Sequence, residues 1–392
     1  MSEEQPSPVI VPPDQAADAP RRASAPLDGG DPVGRLASAL GPGPHALILL
    51  FCGAGGVPAA LLRRAHELFD RAVIAGCTTA GEIAETGYAE GQVVAVAFPA
   101  SSFAVETVLI DPVDTIDSRS VIARLQRARQ SLQHKAECLP HELGILLVDG
   151  LSGREEHLIA SLAGGLGPVP IIGGSAGDDR RFVQTQVFLH QHVRSRAAVL
   201  CLLRSRLPLR TFSFSGCRPS RVQMVVTRAD PARRAVLDIN DEPAAAEYAR
   251  LLGMPVDSLG PELFATRPVM VRAGGRHHVR SIQHAGADGS LTFFGAVAEG
   301  MVLTLSAESR LVPDLAASLA QLRTGGTPRM VLGFDCIFRR MEAESRQQTT
   351  EVSRLLAKAQ VTGFSTYGEQ FGTMHVNQTL TGVAFYDPGT PA

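Results

Sequence analysis

One local pattern recurs along this chain and limits what it can become. A short apolar, β-type run ends in a glycine-rich polar turn, and a helix-type stretch follows. His45–Phe51 (HALILLF) reads as a buried strand. Cys52–Gly56 turns, and Pro58 opens the helix PAALLRRAHELF. Arg71–Ala75 is a strand that runs into GCTTAGEI. Leu143–Val148 runs into Asp149–Gly153, and the helix REEHLIASLAGGLG follows. Val169–Ile172 enters GGSAGDDRRF. Strands alternating with helices pair in parallel, so an α/β first domain is expected. Ligands on such sheets sit at the carboxyl ends of strands. Three polar loops occupy those ends: Cys77–Glu82, Asp149–Gly153 and Gly173–Asp179.

The rest of the chain extends this frame. Val93–Phe98, Phe103–Ile110, Val187–Leu189, Ala197–Leu203 and Val222–Val226 read as strands. Asp117 or Ser118 caps the helix VIARLQRARQSLQ. Past a boundary near residue 238, strands are expected around Val269–Val271, Val279–Ile282, Leu291–Phe294, Met301–Leu305 and Val331–Phe334. A helix over Leu311–Leu322 and one long helix over Cys336–Gln360 complete that half. The predicted plan is a disordered tail (1–33), an N-terminal α/β domain (34–237) and a C-terminal domain (238–392). The fold class is α/β, or mixed α+β: a two-part module of mixed β-sheets flanked by helices.

Composition removes several function classes. A net charge of -2 gives no electrostatic footprint for nucleic acid. The six cysteines are scattered, which argues against a zinc ribbon, an iron–sulfur site or a disulfide scaffold. Free thiols fit a reducing compartment. The longest apolar runs are too short to span a bilayer, and the start MSEEQPSP lacks a signal pattern. The expectation is a soluble, cytoplasmic protein without a nucleic-acid or membrane partner.

The stretch Val361–Thr379 (VTGFSTYGEQFGTMHVNQT) is the densest in functional side chains. Gly363, Gly368 and Gly372 let the backbone turn sharply and let a ligand come close. Tyr367, Glu369, Met374, His375 and Asn377 crowd between and after them. Two readings stay open: a ligand site, or a tight hairpin whose polar groups satisfy the backbone. Cys77 and Ser175 are candidate nucleophiles, but no histidine lies near either in sequence. Asp149, Ser152 and Asp178 read as helix caps or as contacts to a polar ligand, with Thr78 beside Cys77. His278 and His284 share a strand face without a third metal ligand.

GCTTAGEI, LLVDGLSGREE, IIGGSAGDDRRF and GFSTYGEQ…HVNQT, in that order, resemble the FIST family of two-part sensory modules. The resemblance implies ligand sensing in signal transduction, with small molecules such as amino acids as ligands. Without a base beside Cys77 or Ser175 the chain reads as no enzyme, with chemistry at those two residues the third reading. GEQFGTMHVNQT is similar to a branch of nitric-oxide-sensing haemoproteins of the NosP type. That branch implies non-covalent b-type haem and nitric oxide as ligand. It also implies a sensor histidine kinase or cyclic-di-GMP enzyme as partner. His375 would then be the axial ligand to the iron, with Met374, Tyr367, His284 and Cys77 as alternatives and Glu369 and Asn377 nearby. Cys77, Thr78, Asp149, Ser152, Ser175 and Asp178 would line a ligand site at the first-domain loops. Homo-oligomerisation stays open.

Overall fold

A computed structural model describes residues 18–53 and 55–390. It is a mixed α/β fold with 26 strands in four sheets and 9 helices among the described residues. Mixed sheets flanked by helices are what the strand–turn–helix alternation predicts.

The elements fall into three successive units. The first comprises β1 (Arg21–Pro26), α1 (Pro32–Leu40), β2 (His45–Cys52), α2 (Ala59–Leu68), β3 (Val73–Thr78), β4 (Glu82–Ala84), β5 (Gly87–Ala89) and β6 (Gln92–Pro99). The second comprises β7 (Phe103–Ile110), α3 (Ser118–Lys135), β8 (His141–Val148), α4 (Glu155–Leu166), β9 (Ile171–Ser175), β10 (Val187–Leu189), β11 (His192–Arg194) and β12 (Ala198–Ser205). The third opens with β13 (Leu209–Ser215) and is then interrupted by an inserted lobe. That lobe holds β14 (Pro219–Asp230), β15 (Ala235–Ile239), β16 (Glu242–Pro243), α5 (Ala244–Leu252), α6 (Pro261–Thr266), β17 (Val269–Ala273), β18 (Arg276–Arg280), β19 (Ile282–Ala285), β20 (Leu291–Phe293) and β21 (Val302–Ser306). The third unit resumes with α7 (Leu311–Gln321), β22 (Met330–Cys336), α8 (Ile337–Ser345), α9 (Thr349–Lys358), β23 (Val361–Thr366), β24 (Glu369–Phe371), β25 (Met374–Val376) and β26 (Thr379–Phe385).

Each unit builds the same sheet and gives its hairpin to another. The orders are β1-β6-β2-β3-β10-β11, β7-β12-β8-β9-β24-β25 and β13-β26-β22-β23-β4-β5. In every sheet the central pair is parallel (β2/β3, β8/β9, β22/β23) and the other pairings are antiparallel. The hairpin after β3 joins the third sheet, the one after β9 joins the first, and the one after β23 joins the second. The three units are thus related by an approximate threefold repeat with cyclic exchange.

Gly76, Gly173 and Gly363 mark equivalent positions in this repeat. At each, a Cβ would collide with a carbonyl oxygen of the parallel neighbour strand, from Leu50, Leu146 and Gly333 respectively. Only glycine permits so close an approach.

The inner faces of the three sheets share one core that includes Phe51, Leu147, Ile172, Phe334, Phe364 and Val383. Phe51 and Phe364 reach each other across two sheets at 4.7 Å between ring centroids. Burial of each such ring contributes about 1.5–3 kcal/mol. The outer faces are covered by α1 and α2, by α3 and α4, and by α7 and α9. The inserted lobe packs its own core against Ile337, Phe338, Met341 and Tyr367. No helix among the described residues is long and apolar enough to cross a membrane.

Four expectations are corrected. The segment 1–33 is not all tail: β1 pairs with β6, and α1 begins at Pro32 under an Asp31 cap. Its apolar content is low because alanines suffice at a sheet edge; Ala23 and Ala25 are buried, and the Arg21 and Arg22 guanidinium groups donate to the Leu40 and Val361 carbonyls. Residues 1–17 lie outside the described residues. The boundary at 237/238 falls inside β15, and the hairpin exchange ties residues on both sides of it. The helix expected over 336–360 is two helices, parted at Gln347, whose backbone is left-handed (φ 57). The closing stretch is not a single hairpin: β23 and β26 lie in the third sheet, and β24–β25 completes the second.

Candidate functional site

The turns that carry the sequence motifs meet at the centre of the threefold arrangement. The Ala80 N–H donates to the Ser365 carbonyl, Tyr367 N–H to Ser175, and Gly177 N–H to Thr78. Ser365 N–H, Ser175 N–H and Thr78 N–H donate in turn to Gly81, Gly368 and Gln186. Thr78 and Ser175 are therefore equivalent buried members of a backbone ring, and Ser365 is the third.

A buried carboxylate ties each crossing. Glu82 accepts from the Thr79 hydroxyl and, at 3.0 Å, from the Gln92 N–H of the returning strand. Glu369 accepts from Thr366 and from both the N–H and the hydroxyl of Thr379 (3.2 and 2.7 Å). In the second unit Asp149 does this from the preceding strand end, accepting from the Thr185 hydroxyl and the Arg196 N–H. Burial pushes the Glu82 carboxyl up to about 7 and the Glu369 carboxyl up to about 8. Glu369 and Asp149 thus close the fold and are not free to contact a ligand.

The hairpins themselves differ. Register places Phe188/Val193, Ile83/Tyr88 and Gln370/His375 at equivalent pairs, opposite Gly76, Gly363 and Gly173. Aromatic or aliphatic groups fill two of these places, and Gln370 with His375 occupies the third. Gln370 Nε2 donates to Ser175 Oγ at 2.9 Å, and Asn377 Nδ2 lies 3.5 Å from His375 Nε2. Gln370 Oε1, His375 Nδ1 and Asn377 Oδ1 are buried without a hydrogen-bond partner. Each such group costs free energy until something pairs with it.

Charged groups from α4 and the inserted lobe face this polar triad. Arg234 donates to Glu156 (2.7 Å), Glu155 (3.2 Å) and the Gly153 carbonyl (2.7 Å). Glu156 also accepts from the Ala296 N–H at 2.8 Å. Arg280, at the end of β18, packs on Gly295 beside Glu156, and its buried Nε has no partner. Burial pushes the His375 imidazole down to about 4, and the positive charges of Arg234 and Arg280 add to this. The ring is neutral at neutral pH.

The other predicted residues lie apart or are already engaged. Cys77 is fully buried in the shared core, and burial holds its thiol far above the usual range, so it is no nucleophile. Ser175 has no histidine partner; its hydroxyl receives Gln370. Asp178 accepts the N–H groups of Phe182, Val183 and Gln184 and the Tyr367 hydroxyl, so it shapes its loop. Tyr367 is committed to Asp178 and stacks on Phe182 at 4.5 Å. Ser152 makes a local turn contact to the Arg154 N–H, and Met374 is exposed. His284 is exposed on β19, a different strand from His278 on β18. Of the candidates, His375 meets Asn377, Gln370 links that pair to Ser175, and Tyr367 meets Asp178 and the Ser175 carbonyl. Glu156, Arg234 and Arg280 were not legible as site residues, since nothing in their sequence neighbourhoods marks them.

The surroundings of His375 do not fit a haem. Its ring lies flush on Gly368, where a Cβ would collide with Cε1, and its neighbours are Asn377, Glu156, Arg234 and Arg280. A porphyrin needs an apolar slot next to its axial nitrogen. Met374 and Tyr367 supply no alternative, being exposed and hydrogen-bonded respectively.

A FIST N domain model matches residues 46–242, and a FIST C domain model matches residues 244–372. No curated protein matches the chain. FIST domains are generally sensory domains for small ligands in signalling proteins, sensory rather than catalytic. Matched over most of its length, this chain belongs to the FIST family.

Proposed function

We propose that the protein is a sensor of a small zwitterionic ligand of the amino-acid class, bound over Gln370, His375 and Asn377. One observation carries the reading: this hairpin alone has a polar pair where its two equivalents are filled by Phe188/Val193 and Ile83/Tyr88. The fold does not require polar groups there. Gln370 Oε1 and Asn377 Oδ1 call for a donor such as an ammonium, and Arg280 calls for a carboxylate. Glu156 adds a second acceptor charge next to them. Both signs of charge around one polar patch favour a zwitterion over haem.

Occupancy is then read by a signalling partner, such as a sensor histidine kinase or a cyclic-di-GMP enzyme. Its activity shifts only if the ligand prefers one of two conformations.

Titration calorimetry with a panel of L-amino acids tests the reading. At least one should saturate, and Arg280→Met should weaken it at least about tenfold, the loss expected for a charge-assisted contact. Absence of binding across the panel, together with a Soret band in protein grown with haem that disappears in His375→Ala, would replace the reading with a haem sensor.

A further inference from the structure

The threefold repeat points to a second cleft. Tyr367 at one crossing corresponds to Ala80 at another, and His375 corresponds to Tyr88. Ala80 and Ile337 lie at a cleft of about 610 Å³ between the third sheet and the loop after β9. That volume is in the range of small-molecule sites, roughly 300–1,000 Å³. Three guanidinium groups line it, from Arg180, Arg181 and Arg340, together with the carboxylates of Glu90, Asp179 and Glu344.

Arg340 is the fixed one. It is 6% exposed, and its guanidinium lies 5.2 Å over the Tyr88 ring. Gly81, with φ 110, leaves the room it occupies; a Cβ there would strike the guanidinium. The Ala89 carbonyl accepts from Nη1 at 3.1 Å, and Glu344 from Nε at 3.3 Å. The remaining partner, Glu90, accepts from Nη2 at 2.7 Å, but its side chain is 75% exposed. An ion pair to so exposed a carboxylate is worth little and exchanges readily. Arg181 uses Nε on the Asp178 carbonyl. Its loop is pinned from within by the Asp178 carboxylate, so its position is preset. Arg180 meets Glu344 on the same wall.

We propose that this cleft binds a small oxyanion, a phosphate or carboxylate group, which displaces Glu90 from Arg340 and is closed over by Arg181. A guanidinium already immobilised by stacking and by a backbone carbonyl loses little freedom on taking a bidentate anion. Glu90 competes for the same edge. The site is separate from the His375 hairpin and does not depend on the function assigned there.

Calorimetric titration in low-chloride buffer with inorganic phosphate, pyrophosphate and succinate tests it. At least one probe should saturate, and which one does identifies the ligand as phosphorylated or carboxylic. Glu90→Gln removes the competitor and should tighten binding about two- to fivefold, the range set by an exposed ion pair. Arg181→Ala should weaken it about threefold or more on the same scale. Arg340→Met should abolish it. If that variant does not fold, the opposite shifts of Glu90→Gln and Arg181→Ala decide the matter. No saturation by any of the three anions, or an affinity untouched by Glu90→Gln, overturns the proposal.

Discussion

The hairpins β10–β11 and β24–β25 occupy the same place in two sheets, yet they are made of opposite materials. The first presents Phe188 and Val193 to its covering helix side, and the second presents Gln370 and His375. Both are three residues per strand and both lie against a glycine on the neighbouring strand. The position therefore demands a backbone path and a volume, and no particular polarity. Where polarity appears without paired partners, stability has been given up, and a ligand is the natural beneficiary.

The largest effect should fall on what the two hairpins have in common. Gly76→Ala and Gly173→Ala each drive a Cβ into a backbone carbonyl, and each should cost about 4 kcal/mol or more. Soluble yield and urea unfolding would report this. A mild phenotype in either breaks the claim of equivalence.

The next effect should separate the hairpins. Phe188→Ala should cost about 3–5 kcal/mol in urea unfolding, as for a fully buried ring. Gln370→Leu should cost no more than about 1–2 kcal/mol, because removing an unpaired buried carbonyl offsets the lost Nε2–Ser175 Oγ hydrogen bond. Equal losses in the two variants would make the polar pair structural.

A third effect concerns the crossing that launches β24–β25. Folding raises the Glu369 carboxyl to about 8. The folded state therefore holds a proton that the unfolded chain has already released. Stability from this group is complete below about 4.5, the ordinary glutamate value, and is lost as pH rises toward 8. Glu369→Gln should flatten that decline in pH-dependent melting curves. An unchanged slope would show the carboxyl to be ionised in the fold.

The smallest effect runs the other way. His375 is pushed down to about 4, so its stability contribution is intact above about 6.5 and lost as pH falls from there toward 4. His375→Val, which copies Val193, should remove that acid-side loss and leave melting at pH 8 unchanged. Persistence of the full acid limb would assign it to other groups.

The sequence showed the strands and helices because their periodicity is local. HALILLF, the Pro58 helix start and the Asp117 cap all read correctly. The exchange of hairpins was illegible: Glu82–Ala84 and Gly87–Ala89 are too short for a pattern, and their partner strand β23 lies far along the chain. Arg21–Pro26 escaped notice because alanine is enough to fill an edge. His375 stood out by crowding, but so did Glu369, and Asp149 stood out by its place at a strand end. A carboxylate buried to close a turn and one buried to hold a ligand look alike until the partners are seen. Arg234 and Arg280 sit on the inserted lobe, and only folding brings them to the triad.

The cyclic exchange has a consequence for synthesis. While the first unit emerges from the ribosome, its sheet still lacks β10–β11, and its own hairpin has no third sheet to join. The second sheet waits for residues 369–376. Intermediates with unpaired sheet edges are prone to association, so the nascent chain has reason to need a chaperone until late. The same residues that finish the second sheet carry Gln370 and His375. The proposed ligand site is thus completed only when nearly the whole chain has emerged, with β26 alone still to enter the third sheet.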